Sequence, residues 1–392
     1  MNVLSSIEIN EKKIKILFVI DGLDTGGAEK LLVNTLYELD KEIFSPTVFL
    51  KEFNGTYNKE VRSMGIPLFE LHSTKFCDFV AIIKLIRYIN NEKIDIVHTN
   101  LFGSDIIGRI AGKLANVPLI FSTYLNVYSW KKSRNLKIRI KTWIDKVTAK
   151  YFCDKLIAVS EDVRDFHIET LKLNKNKFSV LVPGINLNEF QLTDNFSLNK
   201  KKLELGIDIN SFVVVVVGVL SEQKGHKYLI EAAPSILIKY PDIRFLIIGP
   251  GPLRQELEQM TKNKGVSNEF IFTGFSENLV DLLGISSVFI SCSLWEGMPQ
   301  AVMEAMAMNI PVIATRVGGL PELIRDGKEG VLIPPSDPNS IVDAIVSIRK
   351  NKEISQKMGV AGRKVVEEYF SIKVMVKKLQ ELYLKTLESK HG

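Results

Sequence analysis

Two acids bracket a stretch of this sequence that could hold a charged, hydroxyl-rich ligand. Glu296 and Glu304 have seven residues between them in Ser293-Leu-Trp-Glu296-Gly-Met-Pro-Gln-Ala-Val-Met-Glu304-Ala-Met-Ala. The apolar runs on either side, Val288-Phe-Ile-Ser291 and Ile310-Pro-Val-Ile-Ala314, read as buried strands. Pro299 suits the first position of a helix, and the residues after it are mostly good helix formers. Neither Gly297 nor Met298 carries a side-chain oxygen to cap the amides of Gln300, Ala301 and Val302. Free amides at the positive end of a helix that follows a strand attract an anion such as a phosphate. The two carboxylates would repel a bare phosphate but accept hydrogen bonds from sugar hydroxyls, as the acidic residue of a dinucleotide fold grips a ribose. The residue types therefore describe a nucleotide-sugar. A capping box, Ser293-x-x-Glu296 with a helix from 294, is the plainer alternative, but it places Gly297 and Pro299 inside the helix.

Two further loops carry similar chemistry. Phe212–Val217 reads as a strand, followed by Gly218-Val-Leu-Ser-Glu-Gln-Lys224-Gly225 and a helix from His226. Lys224 is placed there as a counter-charge for a phosphate, and Gly225 lets the backbone turn close to it. His226 reads as structural. Near the start, the strand Ile14–Ile20 leads through a Gly-rich turn to a helix at Ala28–Leu39. The adjacent Gly26 and Gly27 in that turn suggest a backbone that something approaches closely; a merely tight turn is the alternative. The spacing is not that of a dinucleotide fingerprint.

The elements that position these loops alternate. Strands are expected near 46–50, 67–71, 94–98, 118–122, 155–159 and 178–182, with helices near 57–64, 78–90, 103–115 and 161–171, so a parallel sheet covered on both faces is implied. In such sheets ligands sit beyond the carboxyl ends of the strands, where His98, Asn100 and Asn126 lie. His98 reads equally as a ligand or as a satisfied structural histidine. The polar stretch 191–202 suggests a boundary near 195, giving a first domain of 1–195 and a second of 196–370. Ile372, Val376, Leu379, Tyr383 and Leu387 give the last helix, 371–389, one apolar stripe.

The 392 residues carry net charge +6, with 28 Lys+Arg against 23 Asp+Glu up to residue 200, so the basic excess lies in the first half. Eight of those cations fall in Trp130–Lys150 with Leu136, Ile140, Trp143, Ile144 and Val147 at helical spacing, a basic amphipathic helix. Its stripe is either core, with lysines on a solvated face, or a docking surface for an anionic membrane. Clustering on one helix without a binding module argues against nucleic acid. Cys77, Cys153 and Cys292 have no metal-ligand or redox spacing and read as buried thiols of a cytoplasmic protein. The start lacks the apolar core of a signal peptide, and no apolar run is long enough to span a bilayer.

The motifs Glu296-Gly-Met-Pro through Glu304-Ala-Met-Ala, Pro311-Val-Ile-Ala, Gly318-Gly-x-Pro-Glu322-Leu-Ile and Asp326-Gly-x-x-Gly330 resemble the nucleotide-sugar half of the retaining GT-B glycosyltransferases of family four, the glycogen-synthase-like group. The resemblance covers almost the whole chain. It implies an α/β GT-B fold, two Rossmann-like domains with parallel sheets facing an interdomain cleft, the last helix crossing back to the first. By this resemblance Glu296 lies near the donor sugar, Glu304 holds the ribose, Gly26 and Gly27 face the donor phosphates, and the backbone near Phe275 and Ser276 reads the base. It also implies a hexosyltransferase that retains anomeric configuration, needs no metal and no cofactor, and draws on a nucleotide-sugar, UDP-linked in the family's commonest habit. A glycan or lipid-linked acceptor of cell-surface or exopolysaccharide synthesis is implied, with the inner face of the plasma membrane as a site of work. Two departures stand out. Leu125 replaces a histidine of the active site, and Val219 replaces an arginine paired with Lys224, with Arg254 and Arg316 as possible substitutes. They favour the alternative of a catalytically impaired binding or partner subunit. An epimerase or phosphorylase of the same fold fits the Glu296-to-Glu304 pattern poorly.

Overall fold

The computed structural model describes residues 13–391 apart from 25, 53–54, 74–77, 128–130, 132–134, 194–196 and 277. Cys77 and Trp130 lie outside the described residues. The chain divides into two compact units. The first comprises the residues up to Ala158, Arg164–Leu181 and the end of the chain from Val376; the second comprises Val159–Val163 and Val182–Met375.

In the first unit, β1 (Ile14–Ile20), β2 (Phe44–Leu50), β3 (Leu68–Glu70), β4 (Ile96–Asn100), β5 (Leu119–Tyr124), β6 (Lys155–Ala158) and β7 (Phe178–Val180) form one parallel sheet in the order β3-β2-β1-β4-β5-β6-β7. In the second, β8 (Phe212–Val217), β9 (Ile243–Ile248), β10 (Phe270–Gly274), β11 (Val288–Ser291), β12 (Val312–Thr315) and β13 (Gly330–Ile333) run parallel in the order β10-β9-β8-β11-β12-β13. Continuous β-branched runs such as Val213–Val216 make strands of this kind, because helices cover both faces and every side chain is buried. Strand order reverses between β1 and β4 and between β8 and β11, and the carboxyl ends at such a reversal leave a crevice that loops can line. Both units are Rossmann-like parallel sheets of mixed α/β structure, as the GT-B resemblance implies.

The first sheet ends at Val180, and the segment after Leu181 belongs to the second unit, earlier than the change expected near 195. Ile185 pairs with Ser371, and a Cβ at Gly184 would lie 2.6 Å from the Ile372 Cα, so this stretch is packed on the start of the final helix. That helix, Ile372–His391, buries Val376, Leu379 and Tyr383. Tyr383 sits edge-on to Phe121 at 5.0 Å, and Gln380 accepts from the Asp40 amide.

The basic helix Leu136–Tyr151 departs from the reading of its stripe as core. Leu136, Ile140 and Trp143 are 69%, 50% and 63% exposed, while Asp145, Thr148 and Ala149 face inward. Arg109, wholly buried, donates to the Asp145 carboxylate at 2.7 Å, and Lys131 pairs with the same carboxylate. Among the described residues no helix is long and apolar enough to cross a membrane.

Candidate active site of the second unit

The loops that the sequence singled out leave adjacent strands. Lys224 follows β8 and Glu296 follows β11, and the two strands are hydrogen-bonded neighbours at the point of reversal. Lys224 lies in the 3-10 turn Glu222–Lys224 and the helix His226–Lys239 begins after it, because Gly225 takes φ +61°. A Cβ at Gly225 would stand 2.1 Å from the carbonyl oxygen of Cys292, so the Lys224 turn is pressed onto the loop that carries Glu296. The aliphatic stem of Lys224 runs past Gly218, where a Cβ would come within 3.2 Å of its Cε.

Those placements bring Lys224 Nζ to 2.5 Å from Glu296 Oε1. Ser293 Oγ donates to the same oxygen at 2.6 Å, and Gln223 Nε2 reaches Oε2 at 3.4 Å and the Trp295 carbonyl at 2.9 Å. Glu296 is 4% exposed, so its oxygens are satisfied by these donors more than by water. Thr315 Oγ1, on the end of β12, donates to the Ser293 carbonyl at 2.6 Å and ties the loop to the next strand. The turn after β12 supports it from the other side. Gly318 has φ +55°, a Cβ there would lie 2.3 Å from the Glu296 carbonyl oxygen, and the Gly319 amide donates to the Gly297 carbonyl at 2.8 Å.

The helix starts one residue later than expected, at Gln300, with Pro299 as its extended N-cap and no side-chain cap. Ser293 and Glu296 do meet, but hydroxyl to carboxylate and outside any helix, so no capping box forms. Of the three amides expected to be open, Val302 N–H already donates to the Pro299 carbonyl at 3.2 Å, a 3-10 closure of the first turn. Among the described residues, the donors left at the start of the helix are the amides of Gln300 and Ala301. Gly297 and Met298 are buried, and Glu304 is 7% exposed on the helix's second turn.

On the far side of β8, Gly249 (φ +135°) and Gly251 have no room for a Cβ against the backbone of Gly218 and Leu220. Phe275 stands beyond the end of β10, 54% exposed, as a wall residue would rather than a core one. Val219, where the resemblance expected a cation, is also half exposed. Both expected substitutes are engaged by their own neighbours, Arg316 by Asp326 at 2.9 Å and Arg254 by Glu258 at 2.8 Å and the Phe272 carbonyl at 3.0 Å.

Three comparisons with known proteins bear on this geometry. The sequence profile described as Glycosyl transferases group 1 matches residues 199–365, and that described as Glycosyltransferase Family 4 matches residues 25–189. The chain belongs to the group 1 glycosyltransferases. It is 29% identical over 385 residues to the UDP-Gal:alpha-D-GlcNAc-diphosphoundecaprenol alpha-1,3-galactosyltransferase of Escherichia coli, covering 96% of this chain and 98% of that one. It is 27% identical over 330 residues to the capsular polysaccharide biosynthesis glycosyltransferase CapM of Staphylococcus aureus, covering 81% and 83%. The fold matches HepE of Anabaena, solved in complex with UDP, with a TM-score of 0.83 at 20% identity over 95% of this chain and 100% of that one.

Within the first unit of the glycosyltransferase, the sequence candidates fare unevenly. Gly26 caps the helix Gly27–Glu38 in an extended conformation, and the Glu29 carboxylate is folded over it, 2.1 Å from where a Cβ would stand. The close approach at Gly26 is therefore made by the chain's own acid, whose pKa burial raises. His98 is structural. Its Nε2 meets Thr123 Oγ1 at 2.7 Å and its Nδ1 meets the Tyr383 hydroxyl, which leaves neither nitrogen for a ligand. Asn100 is buried at the end of β4, and Asn126 turns its side-chain oxygen to the Val127 amide at 2.7 Å while its carbonyl meets His167 Nε2 at 3.1 Å. Ser293, Gln223, Thr315 and Gly218 were not assigned to the site by the sequence reading. Ser293 alone carried a signal, its spacing to Glu296, and that spacing pointed to a different motif.

Burial holds three histidines of the glycosyltransferase neutral, pushing His98 and His167 down to about 3 and His226 to about 4. Burial pushes Asp105 the other way, up to about 6, against the attraction of Arg109. The unfolded histidines take up protons near their ordinary value while the folded ones do not, so their contribution is complete above about pH 6.5 and is lost as pH falls toward 4. Asp105 holds an extra proton in the folded state between its ordinary value and about 6, which offsets one histidine of the first unit. Each unit is thus expected to lose at most about 1.4 kcal/mol of stability per pH unit between pH 6 and 4, since burial also raises Glu29 in the first and Glu322 in the second. Urea unfolding at a series of pH values measures it, and a flat profile over that range would mean that these imidazoles are not buried neutral.

Proposed function

We propose that this glycosyltransferase moves a hexose from a UDP-linked donor to a glycan or lipid-linked acceptor, with retention of configuration and without a metal or cofactor, in cell-surface or exopolysaccharide synthesis at the cytoplasmic face of the membrane. The observation that carries the reading is the placement of Lys224 and Glu296 on one hydrogen-bonded cluster beside the uncapped start of Gln300–Ala307. In this reading the second unit grips the donor and the first unit presents the acceptor. Lys224 and the amides of Gln300 and Ala301 take the charge that develops on the diphosphate as the anomeric C–O bond breaks. The acceptor hydroxyl forms the new bond on the face that the diphosphate leaves, and its proton passes to the departing phosphate, so no protein nucleophile is required. Glu296 lies against the sugar and Glu304 against the ribose hydroxyls. The relatives named for UDP-Gal and a diphosphoundecaprenol-linked acceptor, and for capsular polysaccharide, support the choice of donor and pathway.

Calorimetric titration with UDP, GDP and ADP is expected to rank UDP first. Incubation with radiolabelled UDP-sugars and lipid-linked acceptors is expected to give turnover that Glu304→Ala abolishes. Leu125 and Val219 favour a second reading, a partner subunit with impaired chemistry. Donor binding with no turnover across the panel would select it over the enzyme.

A further inference from the structure

The basic helix Leu136–Tyr151 is mounted with its polar side inward. Ordinarily a surface helix is held by burying its apolar stripe. Here the hold is ionic: Asp145, wholly buried, accepts from Arg109 at 2.7 Å and from the Tyr124 hydroxyl at 3.2 Å and pairs with Lys131, and Arg109 also donates to Ser122 at 2.7 Å. Three members of the apolar stripe are left outside, and Ile144 and Val147 are half-buried. Leu136, Ile140 and Trp143 follow one another at i, i+4 and i+7, each at least half exposed, with Val147 continuing the row. At 3.6 residues per turn, Lys137 falls along one margin of that row and Arg139, Lys146 and Lys150 along the other.

We propose that this face of the first unit docks on an anionic lipid bilayer, the helix lying in the headgroup layer with Leu136, Ile140 and Trp143 in the acyl boundary. An apolar row between two cationic margins matches a surface that offers hydrocarbon beneath phosphates, and Trp prefers that interface. A second copy of the chain fits worse. Pairing the face with itself would set the cations of Lys137, Arg139 and Lys146 against the same cations, at a cost in repulsion. The proposal deepens the lipid-linked reading of the acceptor, which it would bring to the first unit, but its physics does not depend on sugar transfer.

The test uses the full-length protein and vesicles of phosphatidylcholine with or without phosphatidylglycerol. Cosedimentation is expected with the anionic vesicles at low salt, fading with added salt, and not with phosphatidylcholine alone. Each replacement of Lys137, Arg139 or Lys146 by glutamine is expected to weaken partitioning about five-fold. Ile140→Ser with Trp143→Ser is expected to abolish it, with circular dichroism and UDP binding unchanged, because both side chains lie outside the packing and the donor site. Brominated lipids are expected to quench wild-type fluorescence beyond that of Trp143→Phe. Failure to cosediment with anionic vesicles at low salt overturns the proposal, as does binding without quenching at Trp143, or a concentration-dependent dimer that Trp143→Ser dissolves. Vesicle binding with no transfer activity would instead count against the proposed enzyme reading alone.

Discussion

Replacing Lys224 by alanine is expected to lower kcat/KM with a UDP-linked donor by about a hundred- to a thousand-fold, the loss seen when one charge stabiliser is removed from a developing oxyanion. Two effects act in the same direction. The leaving diphosphate loses its cation, and no arginine stands at Val219 to share the load. Glu296, 4% exposed and 2.5 Å from the Lys224 ammonium, is left with Ser293 and Gln223 as its donors. A stranded carboxylate in that position repels a diphosphate as well as destabilising the loop. The second variant Glu296→Gln separates the two. Added to Lys224→Ala it removes the stranded charge, so thermal stability and UDP affinity are expected to recover in part while turnover does not. If Lys224→Ala retains more than about a tenth of wild-type kcat/KM, the charge-stabilising role assigned to this lysine is wrong.

How much of this was legible in the sequence depends on the range of each interaction. The alternation of strands and helices was readable because apolar runs such as Phe212–Val217 and the glycines that end them act within a few residues. The same is true of the loop from Glu296 to Glu304, where Pro299 fixes the helix start to within one residue. Contacts across the chain were not readable. His98 becomes structural through Tyr383, which lies 285 residues away, and nothing local distinguishes it from a ligand. The orientation of the basic helix has the same cause. Helical periodicity reveals a stripe but not which side faces inward, and the inward side was chosen by Asp145 pairing with Arg109, 36 residues earlier. Ser293 shows a third limit, since the spacing that brings it to Glu296 also spells a capping box, and only the absence of a helix at 294 separates the two.

Arg109→Met tests the ionic hold on that helix, with an expected loss of about 3–5 kcal/mol, the cost of breaking a buried pair by removing one member. Arg109 is wholly buried and touches both acids, Asp145 at 2.7 Å and Asp105 at 3.4 Å. Burial opposes ionisation of Asp145, yet Lys131 and Arg109 together outweigh it and hold its carboxyl below the ordinary range. Without the guanidinium, two buried carboxyls are left, among the described residues, with Lys131, whose own charge burial already disfavours. Asp105, pushed up to about 6 even beside Arg109, is expected to become fully protonated at neutral pH, whereas Asp145 keeps Lys131 and stays charged. Asp105→Asn in the Arg109→Met background should therefore recover little, and Asp145→Asn in that background should cost more, by stranding Lys131. Urea unfolding of the variants measures these differences, and hydrogen exchange locates them, with opening expected first in Leu136–Tyr151 rather than throughout the first sheet. A loss below about 1 kcal/mol for Arg109→Met would mean that apolar contacts, not the charge cluster, fasten the helix. Its outward apolar row would then need another explanation, because a helix held by ordinary burial has no reason to keep Leu136, Ile140 and Trp143 in solvent.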